Sequence, residues 1–194
     1  MKYFTYTKDV KEMIIMIMKW LRESNYAAGI LTLIRLYLGW SWVTGGWGKL
    51  TGEKAFDATG FLSKAIEKPV MKGEELIYPT YTAFIENFAL PNVKLFNVLV
   101  PMGELLVGLG LLLGALTTAA VFFGMLMNFM FMFAGTISTN PWMVMLSIFI
   151  IAAGANAGKF GADYYLLPYL KKMFGLKETM KPDTPHTPVT KKIA

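Results

Sequence analysis

The sequence predicts an all-α integral membrane protein, a bundle of four transmembrane helices with an N-terminal amphipathic helix and a long helical connection between the first two spans. The 194 residues are 55% hydrophobic and 16% charged, with a mean hydropathy of +0.45, which is too apolar for an ordinary soluble domain. Four apolar runs, each about 20 residues long, match the hydrocarbon thickness of a bilayer. Their predicted ranges are 26–47, 93–116, 118–136 and 141–157.

The N-terminal arm, residues 1–25, has a short apolar centre flanked by charges, with no small-residue cleavage site after it. Val10, Ile14, Ile17 and Leu21 recur at helical spacing, which predicts an amphipathic helix lying in the membrane interface. Docking against a partner subunit is the alternative for this arm.

The first span carries Arg35 near the middle of its apolar run. A guanidinium at bilayer depth costs at least ~2.5 kcal/mol, so it is expected to face a partner or a wet cavity. At helical spacing Arg35, Trp42 and Lys49 share one face, beside Gly39 and Gly46. That face combines two cations, a stacking surface and two places where a helix or ligand can approach closely.

The polar connection, residues 49–92, is too long to be a simple tether. Aromatic and aliphatic side chains between Phe56 and Ile66 predict one helix. Pro79 begins a second helix that continues through Phe88 and ends before Pro91. These pieces are expected to cap the bundle on its extracytoplasmic side.

The later spans add two polar residues at their centres, Glu104 in the second and Asn128 in the third. Together with Arg35 they fall at one predicted depth, which favours an Arg35–Glu104 ion pair with Asn128 supplying an amide. Two interpretations stay open. The pair either fixes helix register, or it lines a cavity for a polar or redox-active head group.

Residue usage excludes several chemistries. The chain has no cysteine, which excludes disulfides, thiolate catalysis and iron–sulfur ligation. Its one histidine, His186, lies in a basic, proline-containing tail predicted to be flexible, residues 171–194, so no haem or other metal is expected. The net charge of +6 suits the flanks of a membrane domain, and no pattern indicates nucleic-acid binding.

Lys and Arg are denser in the N-terminal arm and in the tail than in the connection, and an even number of spans puts both termini on one side. The positive-inside rule therefore predicts a multi-pass protein of the plasma membrane with cytoplasmic N- and C-termini.

Three segments taken together resemble the DoxX/DoxD family of small four-helix membrane proteins. They are IRLYLGWSWVTGGWGKL, MGELLVGLGLLLGALTT and ANAGKFGADYYL. The resemblance covers roughly residues 26–170. It falls on Arg35, Gly39, Lys49, Glu104, Gly108, Gly114, Lys159 and Asp163.

The resemblance implies a quinone-linked membrane oxidoreductase, or the membrane subunit of one, because DoxD is the membrane subunit of a thiosulfate:quinone oxidoreductase. Thiosulfate would be oxidised to tetrathionate, with quinone as substrate and electron acceptor. Arg35 and Glu104 would be catalytic, stabilising negative charge and relaying a proton. Trp42, Lys49 and Asn128 would bind quinone or substrate.

Other functions remain open beside this one. The chain is alternatively a non-catalytic scaffold or accessory subunit for a redox partner, or a small-molecule or lipid carrier. The expected partners are the lipid bilayer, quinone, and either a second subunit or further copies of the chain.

Overall fold

The computed structural model describes residues 2–175, with side chains from Asp9 onward. Residues 176–194, which include His186 and most of the predicted tail, lie outside this part of the chain. The described residues are mostly helical. The helices are α1 (Lys2–Glu23), α2 (Asn25–Thr51), α3 (Thr59–Glu67), α4 (Pro79–Phe84), α5 (Val93–Leu113), α6 (Thr117–Phe133), α7 (Asn140–Ala153) and α8 (Asp163–Met173).

Apolar length marks two candidate membrane spans among the described residues. These are α5 and the stretch Asn140–Gly158, in which α7 continues as a short 3-10 helix, Gly154–Gly158. Helix α6 is equally apolar but has only 17 residues. Compared with the predicted ranges, α2 continues further into the connection, and α6 and α7 end earlier because Gly135 and Gly154 adopt positive φ.

Helices α2 and α5 pack most closely, and glycines set their register. A Cβ added at Gly39 would lie 2.9 Å from the backbone nitrogen of Leu112, and one at Gly46 would lie 2.8 Å from the carbonyl oxygen of Pro101. From the other side, Gly108 abuts the backbone of Val43. The predicted close approach at Gly39 and Gly46 is therefore confirmed, and the partner is a helix.

The remaining helices close a ring, because α5 contacts α6, α6 contacts α7, and α7 returns to α2. The tight turn between α5 and α6 uses Gly114 at a φ of 63° and Leu116 at 49°. A single apolar core fills the ring. Its larger buried members are Leu31, Leu38, Trp42, Val107, Leu111, Val121, Met143 and Ile150.

The connection folds over one end of the ring as a cap, which we define as residues 52–92. It contains α3, a two-stranded hairpin, α4 and a π-helical turn, Ile85–Ala89. The hairpin pairs β1 (Met71–Lys72) with β2 (Glu75–Leu76) around Gly73, whose φ is 64°. The two helical pieces agree with the prediction from the sequence, whereas the hairpin, which has two residues in each strand, was not predicted.

A second core and a polar anchor hold the cap in place. Leu62 and Ile85 are buried against Ala134, which follows α6. Asn97 of α5 accepts a 2.7 Å hydrogen bond from the backbone N–H of Ala58 and donates to Asp57. Hydrogen bonds from Thr59, and then from Asn97, lower the pKa of Asp57.

Helix α1 is tied to the opposite end of the ring. Arg22 Nε donates to the carbonyl oxygen of Ala152 at 2.9 Å, and the Asn156 amide donates to the carbonyls of Leu21 and Ser24. Residues 13–17 are exposed on every side of α1, so the apolar surface is broader than the predicted single stripe. The C-terminal end of the described chain is helical as well, because Lys171 and Lys172 belong to α8.

Candidate functional site

Glu104 forms its ion pair with Lys49, whose Nζ lies 2.6 Å from Glu104 Oε2. Glu104 is 4% exposed, whereas the Lys49 side chain keeps 30% of its surface. The predicted Arg35–Glu104 pair is therefore wrong. Lys49 also donates to the carbonyl of Gly45 and lies 5.8 Å from the ring centre of Phe56.

The register of α2 and α5 explains the error. Matching the centres of the two apolar runs puts Arg35 beside Glu104, but the glycine contacts put Glu104 beside Gly45 and Gly46 instead. Arg35 lies roughly 15 Å further along α2, at about 1.5 Å per residue. Close backbone packing, rather than equal depth of the polar residues, decides which charges meet.

A cavity of about 480 Å³ adjoins the Lys49–Glu104 pair. The cap supplies one wall, with Phe56, Phe61 and Tyr81 among its aromatic side chains. Helices α5 and α6 supply the other wall, mainly through aliphatic, Phe and Met side chains. An apolar cavity of this size with a few convergent polar groups has the features of a small-molecule site.

Tyr81, which was predicted from the sequence only to lie on a helix of the connection, adds a polar group to the cavity. Its hydroxyl donates to the carbonyl oxygen of Met130 at 2.8 Å, which joins the cap to α6. Burial raises the pKa of Tyr81 to about 12, so the hydroxyl stays protonated at alkaline pH values at which an exposed tyrosine ionises. Its position in a helix that begins at Pro79 was readable from the sequence, but its contact with α6 was not.

Arg35 lies outside the cavity, at the far end of the ring. It is 2% exposed, and its Nη2 donates to the carbonyl oxygen of Phe160 at 3.1 Å. Among the residues that the structure describes, Nε and Nη1 have no hydrogen-bond partner. A Cβ at Gly114 or at Gly161 would overlap Nη1, so the guanidinium fills a slot between two glycines.

Asp163 completes this second polar cluster. Its two carboxylate oxygens accept hydrogen bonds from the backbone N–H groups of Leu116 and Thr117, at 2.7 and 2.8 Å. These amides lie at the N-terminus of α6. Asp163 therefore takes the place of an N-cap side chain for α6, although it lies in a later part of the chain. The carboxylate also exerts an electrostatic attraction on Arg35. Lys159 belongs to the same segment of the family resemblance as Asp163. Its Nζ donates a hydrogen bond to Asn25 Oδ1 at 2.6 Å.

Trp42 and Asn128 are both in the packed interior of the ring rather than among the residues that line the cavity. The Trp42 indole nitrogen lies against Gly124 of α6. Asn128 is fully buried, and its amide has no hydrogen-bond partner in the described part of the chain. Of the three predicted binding residues, the structure brings Lys49 to the cavity. Within the described residues, no three His, Cys, Asp or Glu side chains group as metal ligands.

Two apolar helices long enough to cross a membrane, a buried ion pair and a cavity under a folded cap fit the class of small helical membrane proteins. The family model called DoxX matches residues 30–137, more than half of the chain, and the chain belongs to the DoxX family. The matched segment includes Lys49, Glu104 and the whole cap, whereas Lys159 and Asp163 lie beyond it. The chain has no match among the curated proteins or the solved structures that were compared with it.

Proposed function

We propose that this protein is a quinone-linked membrane oxidoreductase, or the membrane subunit of one, and that the quinone ring binds in the cavity beside Lys49 and Glu104. In this proposal α2, α5, α6 and α7 all span the plasma membrane. Both termini are cytoplasmic, and the cap lies outside.

The observation that carries the proposal is the presence of one ion pair in the lining of a mainly apolar, aromatic cavity. A quinone needs flat apolar walls for its ring and a hydrogen-bond donor for each ring oxygen. The Lys49 ammonium is a suitable donor to a ring oxygen that gains negative charge. The adjoining carboxyl group of Glu104 is a suitable proton relay, because reduction to quinol takes up two electrons and two protons.

Thiosulfate is the proposed electron donor. Two thiosulfate ions lose one electron each and join through a new sulfur–sulfur bond to give tetrathionate, and quinone takes both electrons. The exposed part of Lys49 would attract the dianion. Because Arg35 lies at the other end of the ring, Lys49 takes the charge-stabilising role that the family resemblance gave to Arg35.

The test is turnover of the purified chain in liposomes, with thiosulfate and a decyl quinone. We expect Lys49→Met to lower kcat by about a hundredfold, comparable to the loss of one oxyanion donor. Lys49→Arg keeps a cation and should retain more activity, and Glu104→Gln should slow proton delivery. The control is Lys54→Met, because Lys54 is an exposed residue of the cap and its substitution removes one positive charge without changing the cavity. Normal turnover by folded Lys49→Met protein would contradict the proposal.

The second candidate is a scaffold or accessory subunit for a redox partner, or a carrier of small molecules or lipids. The exposed apolar side chains of residues 13–17 favour a partner or a lipid surface for α1. This candidate predicts that the purified chain, alone or as a homo-oligomer, binds quinone without reducing it. Reduction would then require addition of a second subunit.

A further inference from the structure

We infer that the cavity opens sideways between α5 and α6 into the bilayer, and that its ligand is therefore a quinone with a hydrocarbon tail that leaves the protein across Leu99 and Leu126. The inference rests on the proposed function and adds the class of quinone and its route of entry.

The separation of α5 and α6 changes along their length. Near the turn that joins them, a Cβ added at Gly110 would lie 2.9 Å from Ala120 Cβ, so no space remains there. At Gly103 the gap is filled by the Met127 side chain, whose sulfur would lie 3.3 Å from an added Cβ. Nearer the cap the cavity itself occupies the gap, and Met127 and Met130 line it.

Two leucines form the outer edge of this gap. Leu99 of α5 and Leu126 of α6 both line the cavity, yet they are 54% and 42% exposed. Each side chain therefore belongs both to the cavity lining and to the exposed surface of the protein. In this proposal the two leucines separate the cavity from the lipid. Unbranched Met127 and Met130, which also line the cavity, can change rotamer at small cost.

The lining combines one charged pair with a mainly apolar remainder. Lys49 and Glu104 supply the charges, Leu99 and Leu126 are aliphatic, and further polar groups come from Thr136, Ser138 and Asn140. A quinone ring hydrogen-bonded at the ion pair and a hydrocarbon tail at the leucines match this division.

The experiment measures binding of two probes to the full chain in phospholipid nanodiscs. One probe is a tail-less benzoquinone, and the other is the same quinone with a decyl tail. The Kd of the tailed probe is expressed as moles of probe per mole of lipid. Leu99→Trp and Leu126→Trp fill the gap, and Leu106→Trp is the matched control, since Leu106 is 62% exposed on α5 and does not line the cavity. Leu126→Ala widens the gap and covers the case in which a Trp variant fails to fold.

We expect both Trp substitutions in the gap to raise Kd for the tailed quinone about tenfold. Kd for the tail-less quinone should stay within about twofold. Leu106→Trp should leave both values unchanged, and Leu126→Ala should speed release of the tailed probe. Decanol at the same concentration should not displace the tailed quinone.

Four results would overturn the inference and leave the proposed function standing. Three are unchanged affinity for the tailed quinone in every gap variant, equal weakening of both probes, and equal weakening by Leu106→Trp. The fourth is displacement by decanol, which would identify the gap as a site filled by any hydrocarbon chain. If the wild-type chain binds neither quinone, the proposed function fails and the inference fails with it.

Discussion

At the scale of single residues, Arg35 occupies a slot that exists only because Gly114 and Gly161 have no side chains. One hydrogen bond to Phe160 and the nearby charge of Asp163 compensate only part of the cost of burying a guanidinium. The long side chain joins α2 to the α5–α6 turn and to the segment before α8. This position gives Arg35 a structural role in holding three separate parts of the chain together.

Gly114→Ala should therefore destabilise the protein more than a comparable glycine substitution elsewhere. The φ of Gly114 is 63°, which costs an L-residue about 1 kcal/mol, and the new methyl group would also meet Arg35 Nη1. Overpacking adds about 1–3 kcal/mol. Thermal unfolding in detergent, followed by circular dichroism, measures the difference.

Gly135→Ala is the matched control, because Gly135 also ends a helix of the ring at a positive φ but has no atom closer than 3.9 Å to an added Cβ. Equal losses of stability in the two variants would contradict the slot described for Arg35.

The burial of the charged residues was predictable from the sequence, but their partners were not. Buried charges were expected within the apolar runs, and Arg35 and Glu104 are both buried. The choice of partner was not predictable, because charge and hydropathy give each run a centre but do not give the offset between two helices. That offset depends on the glycine contacts of Gly39 and Gly46 with α5.

At the scale of elements, the cap is attached to the ring by a few polar contacts and by its own small core. Asn97 holds the start of α3, and Tyr81 fastens α4 to the carbonyl of Met130. The sequence indicated the two helical pieces through aromatic spacing and Pro79. The strands of the hairpin, with two residues each, carry no periodic signal, and a contact between Tyr81 and a backbone carbonyl leaves no trace in composition.

The Tyr81 contact predicts a dependence of stability on alkaline pH. The pKa of Tyr81 rises from 10.0 to about 12 in the folded protein. Below pH 10 the hydroxyl is protonated in both the folded and unfolded states, so its contribution to stability is fully present. As the pH rises from 10 to about 12 only the unfolded state loses the proton, and stability falls.

Tyr81→Phe should remove this fall, after a loss of about 1 kcal/mol at neutral pH from the missing hydrogen bond. Denaturant unfolding of both proteins between pH 8 and pH 12 gives the comparison, and the difference between them cancels the titration of lysines. Parallel pH profiles for the two proteins would refute a buried, protonated Tyr81.

At the scale of the whole molecule, the Lys49–Glu104 pair and the Arg35–Asp163 cluster lie at opposite ends of one ring of helices. The end with the cavity is covered by the cap, and the other end contacts α1 and the segment before α8. If the ring spans the membrane as proposed, the cap faces the outside of the cell and the Arg35 end faces the cytoplasm.

Because the chain has no cysteine, single cysteines can test this orientation directly. An impermeant maleimide applied to intact cells should modify Glu53→Cys in the cap, and it should modify Lys171→Cys in α8 only after the membrane is permeabilised. Both positions are exposed. The reverse pattern would invert the topology, and equal labelling of both positions in intact cells would exclude a spanning ring.

The hydrogen bonds that Asp163 accepts from the N-terminal amides of α6 have a consequence for biogenesis. The amides of Leu116 and Thr117 are covered by a carboxylate that lies 47 and 46 positions later in the chain. When a ribosome has synthesised the α5–α6 hairpin, those amides still lack this acceptor. The contact can form only after α7 and Asp163 have been synthesised, so completion of the hairpin depends on a carboxylate that is made late.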